Sequence, residues 1–172
     1  MEIKEIKYHL EKKGLLWEGH ASRAVELFKS GYNCAQSVFG AFCDETGLPF
    51  ETAMILSSGF GGGMGRLREV CGAVTGGIMV LGLLFSSPEV PSQMEKSKVY
   101  ERTQRLAKTF EKEFDSYLCR DLLGLDLKND FPIPEDRTPE YYSKRPCPLY
   151  IAFGAALLER MIKEERGQID RK

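Results

Sequence analysis

Neither sign of charge dominates this sequence: 24 Lys and Arg stand against 25 Asp and Glu, for a formal net charge of −1. Without a bulk excess of charge there is no electrostatic reason to seek nucleic acid or an anionic membrane, so neither is expected as a partner. Long apolar runs are missing too. The longest nearly uncharged stretch, Val70 to Pro88, is interrupted by Gly72, Gly76, Gly77 and Gly82. It falls short of the ~20 apolar residues that a membrane span requires and reads as a buried core helix. The opening residues Met1 to Lys7 are charged and lack the apolar core of a secretory signal, which points to a cytoplasmic protein in a reducing compartment. Histidine is scarce: His9 and His20 sit outside any metal-spacing motif and read as surface residues. There is no C-x-x-C pair, no G-x-G-x-x-G, no phosphate-binding loop and no recognisable Ser-His-Asp arrangement, which leaves nucleotide binding and hydrolysis without a basis. Glu111, Glu113 and Asp115 read as a solvated charge run.

Alternating apolar and polar runs bounded by turn residues are also absent, whereas helical periodicity recurs in every long segment, so the class is all-α. With 172 residues and 42% hydrophobic content the chain can bury one full core. The expectation is one compact bundle of five to six helices, with residues 1–20 a loosely attached amino-terminal segment and 20–160 the main body.

Helices are expected over Ile3 to Lys12 and over Ala21 to Ser30. Asn33 should cap a helix that opens at Cys34 and closes at Gly47 and Pro49, with a short helix following over Phe50 to Ser58. The run Gly59 to Gly65 is glycine-rich, permits positive φ and allows close backbone approach, so it reads as a loop leading to a central Gly/Ala-rich helix with Cys71 in its first turns. A long amphipathic helix is expected from Ser92 to Leu123, with apolar positions recurring through Leu106, Phe110, Phe114, Leu118 and Leu122. Residues 125–146, with four prolines, read as irregular. Cys147-Pro148 opens the last helix, whose end, Lys163 to Arg166, reads as solvated.

What the chain does have is five cysteines, Cys34, Cys43, Cys71, Cys119 and Cys147. Helix amino ends carry partial positive charge that favours thiolate, and Cys34, Cys71 and Cys147 are expected at such ends, Cys71 near Arg66 and Arg68 and Cys147 beside Lys144 and Arg145. Cys119, expected in the last turns of the long helix, suits a resolving thiol or a metal ligand. Cys43 lies nine residues beyond Cys34, on the opposite helix face, and stays outside the set.

Cys71-Gly72-Ala73-Val74-Thr75-Gly76, its glycine-rich lead, and Cys34, Cys119 and Cys147 in that order resemble the C_GCAxxG_C_C family of redox-active proteins over about residues 20–160. The Gly that the family name places before its second cysteine is Val70 here. The resemblance implies a bacterial or archaeal protein with four functional cysteines, Cys34, Cys71, Cys119 and Cys147. Similar motifs accompany split-Soret-type cytochromes, where an iron–sulfur centre has been proposed.

Three functions follow. The four cysteines could ligate an iron–sulfur cluster or, failing that, zinc, in an electron-transfer component or oxidoreductase, with backbone at Gly61, Gly62, Gly63 and Gly72 contacting the centre. They could instead act without metal as redox thiols, Cys34 or Cys71 attacking and Cys119 or Cys147 resolving. Or the small residues could serve a helical interaction module or homodimer. The redox partner protein is not identified by the sequence.

Overall fold

A computed structural model describes residues 2–126 and 130–167. It is all-α: among the described residues the only strand-like feature is an isolated antiparallel bridge between Val70 and Leu118. The elements are α1 (Ile3–Lys12), α2 (His20–Lys29), α3 (Cys34–Ala41), α4 (Cys43–Thr46), α5 (Phe50–Ser57), a 3₁₀ turn (Ser58–Phe60), a distorted turn α6 (Gly61–Met64), α7 (Gly72–Phe85), α8 (Gln93–Phe114), α9 (Cys119–Leu122), α10 (Pro139–Lys144) and α11 (Cys147–Glu165). Among the described residues no helix is long and apolar enough to cross a membrane.

Helix α7 lies between α3, α8 and α11, and a glycine at each contact lets the neighbour approach. A Cβ at Gly76 would stand 2.7 Å from the Ala35 carbonyl oxygen on α3, and one at Gly77 would stand 2.8 Å from Leu106 Cδ2 on α8. On α11, Gly154 faces the Ala73 carbonyl oxygen, which a Cβ there would meet at 3.1 Å. Residues Gly72–Gly77 are all buried, and Phe28, Phe42, Phe110, Leu81, Leu157 and Leu158 fill the core around them. In α1, Ile6 and Leu10 are buried in the same core.

Several elements differ from the sequence expectation. The long helix ends at Phe114 rather than Leu123, because Asp115 adopts φ +62 and turns the chain. Ser116 Oγ then accepts from the Leu118 N–H at 2.9 Å and donates to Asp121 at 2.8 Å, offering the backbone a local alternative to helix. The helix opening at Cys34 breaks at Phe42, so Cys43 starts a separate turn. The expected irregular stretch 125–146 contains α10, capped by Thr138, while residues 127–129 lie outside the described residues.

Neither histidine is a free surface residue. His20 is 8% exposed, its ring stacked on Phe42 at 4.0 Å, with Nδ1 2.8 Å from Glu159 Oε2 and Nε2 3.4 Å from Asp44 Oδ1. His9 Nε2 lies 3.0 Å from Glu113 Oε1, and Lys13 joins the same carboxylate, so Glu113 is no solvated charge. At the end of α11, Glu164 is buried against Arg105 and Glu165 is 2.8 Å from Arg102, so the two glutamates are not solvated, whereas Arg166 is exposed as expected. Burial of charge needs a paired partner, and these partners come from segments far apart in the chain.

Candidate functional site

Four of the five cysteines line one cavity of about 240 Å³, together with Arg68, Arg145 and Tyr150. All five are free thiols, with Cys71 and Cys119 buried and Cys34, Cys43 and Cys147 half-buried. Three local structures place Cys34, Cys71 and Cys119, and the start of α11 brings Cys147 to them.

The first is the α3 amino end. Asn33 Oδ1 accepts from the Ala35 and Gln36 N–H groups at 3.0 Å, which starts the helix at Cys34 as expected. Asn33 Nδ2 also donates to the Ser58 carbonyl at 2.9 Å, tying this end to the glycine-rich segment. Gly61 makes that contact possible, since a Cβ there would lie 2.5 Å from Asn33 Cγ.

The second is the glycine-rich segment itself, which is a left-handed turn rather than an open loop. Gly62, Gly63, Met64, Gly65 and Arg66 have consecutive φ values between +60 and +72, and Arg68 follows with +62. Glycine adopts this conformation freely, whereas each L side chain in it costs about 1–2 kcal/mol. The turn closes through Arg68 N–H to the Gly62 carbonyl at 3.3 Å and Glu69 N–H to the Gly63 carbonyl at 3.2 Å. At Gly63 a Cβ would stand 2.7 Å from Cys119 Cβ and 2.8 Å from the Glu69 backbone, so only glycine fits.

The third is a short pairing between residues 68–71 and 117–120. Cys119 N–H donates to Glu69 at 2.6 Å, Arg120 N–H to Arg68 at 3.1 Å, and Cys71 N–H to Tyr117 at 2.8 Å. These bonds set Cys71, the residue capping α7, against Cys119, the first residue of α9. Cys119 therefore opens a helix instead of ending one, and Arg68 serves Cys119 rather than Cys71: its Nη1 donates to Cys119 Sγ at 3.8 Å.

Cys34 sits at the electrostatic middle of the set. It is the neighbouring thiol that most strongly opposes ionisation of each of the other three. Its sulfur packs so closely on α7 that a Cβ at Gly72 would lie 2.3 Å from it. Burial, reinforced by Cys34, holds Cys71 well above the usual thiol range and pushes Cys147 up to about 12. Cys119 is raised by the same causes, partly offset by Arg68. The expectation that Cys71 and Cys147 are thiolates as free groups is thus overturned, because desolvation outweighs the helix amino end.

Among the described residues no group of three or more His, Cys, Asp or Glu side chains stands close enough together to hold a bare metal ion. The four thiols border a volume instead of converging on a point. Of the glycines expected at the centre, Gly61 and Gly62 line the cavity, while Gly63 and Gly72 lie behind it and admit Cys119 and Cys34. Cys43 lies apart, beside Asp44 and Arg23, its thiol raised by burial and by Asp44. Asp130, which receives Arg66 and Arg68 at 2.5 Å each, carries no sequence signal that ties it to the site.

Four cysteines scattered along a helical chain thus line one cavity, the arrangement that cysteine-centred redox chemistry requires. Residues 32–161 match the family described as "Putative redox-active protein (C_GCAxxG_C_C)", and the chain is a member of it. No curated protein and no solved structure matches the chain.

Proposed function

We propose that Cys34, Cys71, Cys119 and Cys147 form a single redox centre that holds an iron–sulfur cluster in the 240 Å³ cavity. The observation carrying this reading is that four thiols surround a volume several times the ~30 Å³ share of one water, which suits a polyatomic guest better than a single ion. Bound there, a cluster would supply one-electron transfer at a potential set by its surroundings. The chain's own groups would contribute four sulfur ligands, arginine charge from Arg68 and Arg145, and an apolar wall from Tyr150 and Ile151. Ligation requires thiolates, so the guest must displace protons that burial otherwise keeps on Cys71 and Cys147.

The test is reconstitution of the full chain with ferric iron, dithiothreitol and sulfide without oxygen, followed by iron and acid-labile sulfide assay and visible spectroscopy. Stoichiometric iron with charge-transfer absorption, lost in Cys71→Ser, is expected; a colourless, iron-free product would overturn the reading.

A second reading is favoured by one contact, the packing of Cys34 Sγ against the residue that follows Cys71. In it the centre is a dithiol–disulfide pair, and mass spectrometry of oxidised and reduced samples would find a reversible loss of two hydrogens confined to one cysteine pair.

A further inference from the structure

Arg68 is 2% exposed and has φ +62, so this position carries both a buried charge and a conformation that disfavours side chains. A role in packing alone would be met as well by an apolar residue, since replacing buried ion pairs by well-packed hydrophobic side chains is often neutral or stabilising. Instead the guanidinium reaches two ways. Nη1 donates to Cys119 Sγ at 3.8 Å and Nη2 donates to Asp130 Oδ2 at 2.5 Å, while Nε is buried without a partner among the described residues. Arg66 shares Asp130 and also holds the Phe131 carbonyl at 2.6 Å, so the carboxylate is fixed from two sides.

We propose that Arg68 is a positioning residue that sets the reduction potential of the four-cysteine centre through Cys119, with Asp130 as the counter-charge that limits its field. The inference rests on the redox reading above, but not on the identity of the guest. A permanent positive charge and an N–H donor at sulfur stabilise the electron-richer, reduced state and raise the potential of a thiolate-held cluster. In a dithiol–disulfide centre they likewise favour the reduced form and make the disulfide a stronger oxidant. The two bonds leave from separate nitrogens of a rigid planar fork, whereas a lysine would have to serve both partners from a single nitrogen.

The experiment compares wild type, Arg68→Met and Asp130→Asn as full chains reconstituted anaerobically with iron and sulfide and titrated with dithionite, which delivers one electron at a time. Arg68→Met should lower the reduction equilibrium constant about tenfold, which is about 59 mV for one electron. Asp130→Asn should shift it the other way, since removing the counter-charge strengthens the field at Cys119. Opposite signs are the signature, because a merely structural role would move both variants alike or not at all. Reduction equilibrium constants within twofold of wild type in both variants, or shifted in the same direction in both, would overturn the proposal.

If the chain takes up no iron, the cluster reading fails separately, and the same variants are equilibrated in dithiothreitol buffers. There, two electrons and two protons pass from the reductant's two thiols to the protein S–S bond, giving two cysteine thiols and the cyclic disulfide of the reductant. The expected tenfold change is then about 30 mV. Should Arg68→Met fail to fold, Asp130→Asn decides alone: a raised potential supports the proposal, and an unchanged or lowered one sinks it. A chain that forms neither centre removes the proposal altogether.

Discussion

Glycine at position 72 is required by a sulfur atom. A Cβ there would sit 2.3 Å from Cys34 Sγ and 2.7 Å from the Ala35 backbone nitrogen, and the second of these cannot swing aside. Gly72→Ala should therefore push α3 from α7 and cost about 1–3 kcal/mol of stability, read from urea unfolding of the reduced chain. Gly82, on the same helix with nothing within 4 Å, is the control: Gly82→Ala should stabilise by about 0.5–1 kcal/mol. Equal effects at the two positions would refute the close approach. The thiols themselves allow a second prediction. With Cys147 pushed up to about 12, its thiolate fraction in the guest-free chain rises tenfold per pH unit throughout pH 7–10. Alkylation by iodoacetamide, followed at that residue by mass spectrometry, should climb accordingly, whereas an unperturbed thiol levels off beyond about 8.5. A plateau near 9 would mean that Cys147 is not desolvated.

Elements were legible where their signals are local. The bounds of α1, the Asn33 cap that opens α3 at Cys34 and the Cys147-Pro148 start of α11 all follow from residues within one turn of each other. The break after Phe114 was hidden because apolar residues keep a three-to-four spacing on both sides of it, although the chain turns at Asp115. The left-handed turn was only half visible: its glycines announce positive φ, but nothing local shows that Met64, Arg66 and Arg68 join them. That conformation depends on the pairing with residues 117–120, which is remote in sequence. For the site, the four cysteines and their gathering were readable from the motif order, while Asp130 and the assignment of Arg68 to Cys119 required the fold. The clamp between α2 and α11 is equally non-local, and it carries its own pH dependence. Glu159 is held at about 2, first by its hydrogen bond from His20 and further by Lys163. A depressed carboxylate contributes stability that is complete above its unfolded value near 4.5 and is lost as pH falls toward about 2. Glu159→Gln should thus destabilise by about 1–3 kcal/mol at pH 6, with the gap to wild type closing between pH 4.5 and 2. A gap that persists at pH 2 would mean that shape, not charge, holds the two helices.

At the scale of the whole molecule, the cavity is where the fold is least complete in itself. Its sulfurs come from the starts of α3, α9 and α11 and from the cap of α7, so every wall belongs to a different element. Three of the walls, those of Cys71, Cys119 and Cys147, carry thiols that are costly to ionise and gain little from their neighbours while neutral. A guest that ligates all four would join these elements directly, and mass action would convert its affinity into global stability. At a free guest concentration 100 times its dissociation constant the gain is about 2.7 kcal/mol. For a chain of this size, that raises Tm by about 5–10 °C. Cys43, beside Asp44 and outside the cavity, should not matter: Cys43→Ser should keep the full shift on anaerobic reconstitution, whereas Cys34→Ser, which removes the thiol that bears most on the other three, should abolish it. Differential scanning calorimetry of the three chains with and without iron and sulfide checks this. An equal shift in both variants would show that the guest binds elsewhere, and the link between centre and fold would be lost.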